Sequence, residues 1–213
     1  MCKCADVQIC ELRCINYYLI LTLAHYQIDL YFCSMDRLIS INSLDDIPQQ
    51  YRNTPIGNLL EYHNELKPLE PYTKAQLLIG MCMDNRKHLH IPDNFAFIIR
   101  SGGANLRYSE FKVSYAIAIG HLQHIAVIGH NNCGMVHLQD RKQLFIDGLV
   151  EMAGWDADRA EAQFMHFEPM YEINNEIDFV LSETIRLRKE YPKIKVAPML
   201  YLVEDNRLYL IRE

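Results

Sequence analysis

Short apolar runs that alternate with helix-like segments constrain the fold of this 213-residue chain more than any other feature. Four runs have the length and composition of buried strands, and a fifth follows the last of them after a polar turn. They span 76–83, 95–99, 125–129, 196–203 and 207–211. Strands that alternate with helices predict an α/β fold around a mainly parallel sheet, and the last two runs predict a hairpin-like tail.

Helices are predicted between these strands from caps and from apolar spacing. Thr54 can cap a helix that begins at Pro55 and ends before Pro68. Ser109 can cap a second helix over 110–119, on which Phe111, Tyr115 and Ala118 share a side. A third helical segment follows Gly134 and reaches about residue 150, and a long helix spans about 171–190.

Three polar clusters each follow a predicted strand directly. They read CMDNR over 82–86, RSGG over 100–103 and HNNCG over 130–134. In open α/β sheets ligands bind beyond the carboxyl ends of the strands. The three clusters are therefore predicted to meet in one crevice, although they are far apart in the sequence.

The first and third clusters contain the donor set of a zinc site. Cys82, His130 and Cys133 supply two thiolates and one imidazole, and three protein ligands leave a fourth position open for catalysis. Asp84 can either occupy that position or accept a hydrogen bond from a water there. Arg86 can hold the Asp84 carboxylate with two donors and draw it off the metal.

These two motifs resemble the signature of the β-class carbonic anhydrases, in which CxDxR is followed much later by HxxC. The resemblance covers roughly residue 55 to the C-terminus. It implies a Zn²⁺ cofactor held by Cys82, His130 and Cys133, with Asp84 and Arg86 as the catalytic pair and Asp84 as a metal ligand only in a closed state. The implied reaction is the reversible hydration of carbon dioxide to bicarbonate by a zinc-bound hydroxide.

The same resemblance implies an architecture and an assembly. The expected fold has a central sheet of four parallel strands plus an antiparallel edge strand, flanked by helices, in a domain over 35–213. An N-terminal helical arm over about 35–72 is expected to embrace a partner subunit. The basic unit is expected to be a homodimer, with a higher homo-oligomer as the alternative.

The turn after the second strand departs from the family pattern RNxGN. Arg100 and Gly103 match it, whereas Ser101 and Ala104 do not. We expect Arg100, Ser101, Gly102 and Gly103 to bind the substrate. The altered turn leaves open a carbonyl sulfide or carbon disulfide hydrolase on the same scaffold. A further alternative is a non-catalytic zinc-binding protein for assembly or sensing, in which Asp84 closes the tetrahedron permanently.

Charge and hydropathy argue against some partners and compartments. The net charge is −6 and the pI is near 5.8, so no basic surface is expected to bind nucleic acid. The apolar stretch over 15–32 contains too many polar residues to span a membrane, and it lacks the features of a secretory signal. A cytoplasmic location is therefore expected. His88, His90 or His137 could carry the proton away from the site. The remaining histidines are expected to be solvated: His25, His63, His121, His124 and His166.

The N-terminal 34 residues form a separate region that is rich in cysteine. Five of the seven cysteines lie within the first 33 residues, but their spacing matches no standard zinc pattern. We expect a loosely attached extension, or a native start at Met35, rather than a metal-binding arm.

Overall fold

A computed structural model describes residues 36–213 of the chain. The chain divides into two units between Leu38 and Ile39, and the candidate site lies in the second, Ile39–Glu213. The predictions made for residues 1–34 lie outside the described residues.

A six-stranded sheet forms the centre of the second unit, in the order β1-β6-β5-β4-β2-β3. The strands are β1 (Leu38–Ile39), β2 (Leu77–Met81), β3 (Ala96–Arg100), β4 (His124–His130), β5 (Lys195–Leu202) and β6 (Arg207–Ile211). Strands β3, β2, β4 and β5 pair in parallel, and β6 pairs antiparallel with β5. The predicted α/β fold with four parallel strands and an antiparallel strand on one side is confirmed, with the two-residue β1 beyond β6.

Five α-helices lie within residues 36–213. They are α1 (Pro55–His63), α2 (Glu110–Ala118), α3 (Lys142–Ala153), α4 (Ala157–Tyr171) and α5 (Glu176–Glu190). Helix α1 begins where predicted, because Pro55 is its first residue and the Thr54 side chain accepts a hydrogen bond from the Gly57 backbone N–H. Its apolar side is buried in the core of this chain.

The long helix predicted over 171–190 is wrong in extent. It ends at Glu190 as predicted but begins five residues later, at Glu176, because the Asn175 side chain accepts hydrogen bonds from the backbone N–H groups of Ile177 and Asp178 and so caps α5. Helix α4 was not predicted. The Asp156 side chain caps it by accepting from the backbone N–H groups of two residues in its first turn.

The centre of the sheet is buried on both faces, as expected of parallel strands with helices packed on each side. Every residue of β2 and all but the first of β4 are buried. Helix α5 packs against β4 and β5 so closely that a Cβ on Gly129 would lie 2.6 Å from Cγ2 of Val180. A glycine therefore fits best on β4 directly before the third polar cluster.

His63 is not solvated, which corrects the expectation from sequence. Its side chain lies in the core, 6% exposed, and Nδ1 accepts a hydrogen bond from the His90 backbone N–H. Burial lowers the pKa of His63 to about 4, because an imidazolium would be poorly solvated there.

None of the helices within residues 36–213 combines the length and the apolar character that a membrane crossing requires.

Candidate metal centre

The carboxyl ends of two neighbouring strands build the centre. Strands β2 and β4 pair in parallel with Met81 opposite Ile128, so the residues that follow Met81 leave the sheet beside the end of β4. Cys82 comes directly after β2, His130 is the last residue of β4, and Cys133 follows in the next turn. The strand register thus brings together donors from two predicted clusters that lie 48 residues apart or more in sequence.

The three predicted zinc ligands converge in the structure. One donor atom from each of Cys82, His130 and Cys133 lies within 4.8 Å of the other two, and the two Sγ atoms are 3.9 Å apart. All three side chains are buried. This spacing lets one tetrahedral ion contact all three atoms at ordinary zinc distances of about 2.0–2.3 Å.

The orientation of His130 leaves one ring nitrogen free to bind a metal. Nδ1 lies 2.8 Å from the backbone oxygen of Asn131 and donates to it. That bond places the proton on Nδ1 and leaves a lone pair on Nε2. Nε2 is buried and has no hydrogen-bond partner among the residues described. Metal-binding histidines share this pattern, in which a carbonyl holds the nitrogen opposite the ion.

The two thiols also share a proton in the way expected of a metal-binding pair. The hydrogen-bond contact between the two sulfurs lowers the pKa of Cys82, and His130 lowers it further. The same contact, together with burial, raises the pKa of Cys133. A divalent cation would replace the shared proton and stabilise both thiolates, so the donor set fits zinc.

Asp84 lies beside this donor set and is held there by Arg86. Nε and Nη2 of Arg86 donate to the two carboxylate oxygens at 2.7 to 3.2 Å, and its backbone N–H donates to Oδ1 at 2.9 Å. These bonds keep the pKa of Asp84 well below its usual range. Oδ2 of Asp84 lies 3.8 Å from Nε2 of His130, so the carboxylate borders the donor set without hydrogen-bonding to it.

Two further contacts support the turn that carries His130 and Cys133. Nη2 of Arg86 donates to the backbone oxygen of Asn132 at 3.0 Å, which ties the two predicted clusters together. The Asn131 amide donates to both carboxylate oxygens of Glu204 at 2.8 and 2.7 Å, and its own oxygen accepts from the backbone N–H of Val203. Glu204 thereby fixes the peptide whose oxygen orients His130.

Arg100, predicted to bind substrate, has its guanidinium bonded to backbone oxygens. Nη1 donates to the carbonyls of Cys82 and Asp84 at 3.2 and 3.4 Å, and Nη2 donates to that of Lys87 at 3.3 Å. The side chain therefore holds the loop after β2 in place. These contacts give Arg100 a positioning role, and its contact with substrate stays a prediction.

The other three predicted substrate residues follow Arg100 in a tight turn. The Ser101 backbone N–H donates to the Met81 oxygen, while Gly102 and Gly103 form a short 3-10 turn. Gly103 has a φ of 62°, the left-handed region that favours glycine, and a Cβ on Gly102 would lie 2.9 Å from Sδ of Met135. The turn thus packs closely against the segment after Cys133.

A cavity of about 600 Å³ opens beside this turn. Its wall includes Arg100, Ser101 and Gly102 of the predicted substrate residues, but none of the three predicted zinc ligands. Most of the remaining wall is apolar and comes from the segments that carry α2, α3 and α4, and it includes Tyr108, Phe145, Phe164, Phe167 and Tyr171.

One residue beside the centre was not expected from the sequence. Lys87 follows Arg86 directly, yet its side chain is 1% exposed and Nζ makes no hydrogen bond within the described part of the chain. A lysine in a polar loop is ordinarily solvated, so no sequence signal could have identified it.

Comparisons with known proteins bear on the fold. No protein-family model matches the chain, and no curated protein matches it. Among solved structures, a carbonic anhydrase from Glaciozyma antarctica shares 19% identity and a TM-score of 0.50, over 76% of this chain and 98% of that one. The β-carbonic anhydrase isoform I from Trichomonas vaginalis shares 19% identity and a TM-score of 0.51, over 70% and 90%. The chain has the β-carbonic anhydrase fold.

A structure described as the apo form of carbon disulfide hydrolase is also among the similar ones. That protein shares 21% identity and a TM-score of 0.46, over 65% of this chain and 78% of that one. At such low identities the likeness to the two carbonic anhydrases establishes the fold alone and leaves the reaction to be argued from the site.

Proposed function

We propose that the chain is a zinc enzyme that catalyses the reversible hydration of carbon dioxide to bicarbonate. The observation that carries the proposal is the place of Asp84. Its carboxylate lies 3.8 Å from the free Nε2 of His130 and is held by Arg86. A centre with three protein donors and a carboxylate beside them is suited to a catalytic zinc site with an exchangeable fourth ligand.

Zinc, when bound by Cys82, His130 and Cys133, acts as a Lewis acid that lowers the pKa of a coordinated water to about 7. The side chains around it would then serve orientation and proton handling. Asp84 is placed to accept a hydrogen bond from a hydroxyl group on its side of the centre. Arg86 keeps that carboxylate ionised and directed, because its guanidinium binds both oxygens.

The contacts of Asp84 support an enzyme over a purely structural zinc site. In a closed structural site the carboxylate would be the fourth ligand and would need no partner that competes for it. Here Arg86 donates to both of its oxygens, and Nη2 of Arg86 is itself anchored on the Asn132 carbonyl. A carboxylate held in this way leaves room for an exchangeable ligand.

The proposal is tested by metal analysis together with stopped-flow measurement of carbon dioxide hydration. We expect one zinc ion per chain and measurable hydration, both of which His130→Ala should abolish. His121→Ala removes an exposed imidazole and serves as the matched control. A zinc-loaded protein that hydrates no carbon dioxide would overturn the proposal, and sulfide release from carbonyl sulfide or carbon disulfide would reassign the substrate.

We also propose that the chain forms a homodimer through the β3 side of the sheet. Strand β3 is the last strand on that side, and Phe97 and Ile98 on it are 41% and 44% exposed. Phe111, Tyr115 and Ile119, on α2 and at its C-terminal end, are 50% to 81% exposed. An apolar face beside an edge strand is suited to pairing with its own copy about a twofold axis.

Sedimentation velocity tests this surface. Ile119→Glu places a charge within the exposed apolar face and is expected to give a monomer. Leu44→Glu is the matched control, because Leu44 is 53% exposed and follows β1 on the opposite side of the sheet. A dimer that survives Ile119→Glu, or that Leu44→Glu disrupts equally, would contradict the proposed interface.

A further inference from the structure

Lys87 is a buried cation that the roles proposed above leave unused. Its side chain is 1% exposed, and Nζ has no hydrogen-bond partner within residues 36–213. Burying an ammonium group without hydrogen bonds is costly unless opposite charge lies nearby. The burial of this ammonium group therefore indicates negative charge in its immediate surroundings.

The negative charge that faces Lys87 comes from the metal centre. Burial holds the pKa of Lys87 below its ordinary value and the Arg100 charge adds to this, whereas Cys82, Asp84 and Cys133 oppose it. The influence is mutual, because the Lys87 charge helps to lower the pKa of both Cys82 and Asp84. The contacts of this loop agree: Arg100 donates to the backbone oxygens of both Cys82 and Lys87. Lys87 also directly follows Arg86, which pairs with Asp84, so it belongs to the loop that carries Cys82 and Asp84.

The other two cations near the centre are engaged elsewhere. Arg86 is paired with Asp84, and the Arg100 guanidinium donates to backbone oxygens. One of those oxygens belongs to Lys87 itself, so Arg100 helps to hold the Lys87 backbone in place. The Lys87 ammonium has no such partner, and its charge remains to act on whatever the centre binds.

We propose that Lys87 determines ligand specificity at the centre by favouring anions over neutral molecules at the exchangeable position. This inference rests on the proposed zinc centre. A divalent ion and two thiolates sum to zero charge, so an added anion makes the centre negative. A fixed cation in a buried region stabilises that charge without contacting the anion. Anions of the class of bicarbonate would gain from it, whereas neutral ligands would not.

Cobalt substitution gives a direct readout of binding that does not depend on turnover. The visible spectrum of the Co²⁺ protein is titrated with thiocyanate as the anion and with imidazole as the neutral ligand. Lys87→Met keeps the length of the side chain and removes its charge. We expect its thiocyanate affinity to fall on the order of tenfold to a hundredfold, as for unit charges ~6–10 Å apart at an effective dielectric constant of ~20.

The imidazole titration separates a charge effect from a distorted centre. In Lys87→Met the imidazole affinity is expected to change less than about twofold, whereas distortion would weaken both ligands together. Lys87→Arg should retain the preference for thiocyanate. Lys112→Met removes an exposed lysine on α2 at the neighbouring cavity and should change neither affinity, because solvent screens that charge.

Failure of this inference can be told from failure of the proposed function. If the wild-type cobalt protein binds both ligands and Lys87→Met shows the same ratio of affinities, Lys87 has no role in anion preference. Equal losses of thiocyanate and imidazole affinity would likewise refute it. If the wild-type protein takes up no cobalt, or its spectrum responds to neither ligand, the exchangeable metal centre and the inference are both wrong.

Discussion

Replacing Arg86 with methionine should allow Asp84 to compete for the exchangeable position. The guanidinium makes three contacts of 2.7 to 3.2 Å with the carboxylate, and the Oδ2 of Asp84 is only 3.8 Å from Nε2 of His130. Methionine keeps the length of the side chain and donates no hydrogen bond. A small rotation of the freed carboxylate would then bring an oxygen to the metal.

The size of the effect follows from the exposure of the pair. Hydrogen bonds to charged groups contribute about 1.5–3 kcal/mol, and exposed ion pairs about 0–1 kcal/mol. The side chains of Arg86 and Asp84 are 43% and 16% exposed, so solvent screens the pair in part. An intermediate value of about 1–2 kcal/mol corresponds to a change of about 5- to 30-fold in the dissociation constant of an added anion.

Thiocyanate titration of the cobalt-substituted protein measures this shift. The apparent dissociation constant of Arg86→Met is expected to rise by about 5- to 30-fold, because the anion must displace Asp84. The double variant Arg86→Met with Asp84→Ala removes the competitor and should bind thiocyanate as the wild type does. An unchanged affinity in the single variant, or no recovery in the double variant, would refute the proposed competition.

Asp84→Ala alone should retain zinc and lose carbon dioxide hydration by at least about 100-fold; loss of zinc in this variant would instead make Asp84 a ligand. Glu204→Gln weakens the hydrogen bonds that hold the Asn131 amide. Competition with a chelator should then show zinc affinity reduced by about tenfold or more. An unchanged affinity would show that Glu204 does not help to orient His130. Gly129→Ala should lower the free energy of unfolding by about 1–3 kcal/mol in urea denaturation, and an unchanged midpoint would show that Val180 moves aside freely. Because the pKa of folded His63 is depressed to about 4, the stability it contributes is present above about pH 6.5 and is lost as the pH falls. In urea denaturation the free energy of unfolding should fall by about 2 kcal/mol between about pH 6.5 and 5, and His63→Gln should reduce this fall. Equal pH dependence in both proteins would contradict this assignment.

The sequence was sufficient to predict strands β2 to β6 and the donor set. Buried parallel strands read as short apolar runs, and the residues that follow them reach one edge of the sheet whatever the intervening segments do. The sequence pattern alone therefore places Cys82, His130 and Cys133 together. The pairing of Asp84 with Arg86 follows from the same local spacing and is also present in the structure.

Other features depend on the path of the chain and could not be predicted in this way. Helix α4 has polar residues around much of its surface, so apolar spacing did not reveal it, although Asp156 carries the signal of a cap. The guanidinium of Arg100 binds carbonyl groups whose directions are set by the loop after β2. The burial of Lys87 and of His63 is likewise a result of packing between distant segments.

The direct pairing of β2 with β4 affects how the protein acquires its ion. A zinc finger stays unfolded without its metal, because the bonds between the metal and its ligands hold the segments of the finger together. Here Cys82 and His130 extend from two strands that pair along four residue positions and belong to a large apolar core. The chain can therefore fold first and be metallated afterwards. Chelators should yield a stable, folded apoprotein. The ion that the protein then binds depends on which metal ions are available to the folded chain.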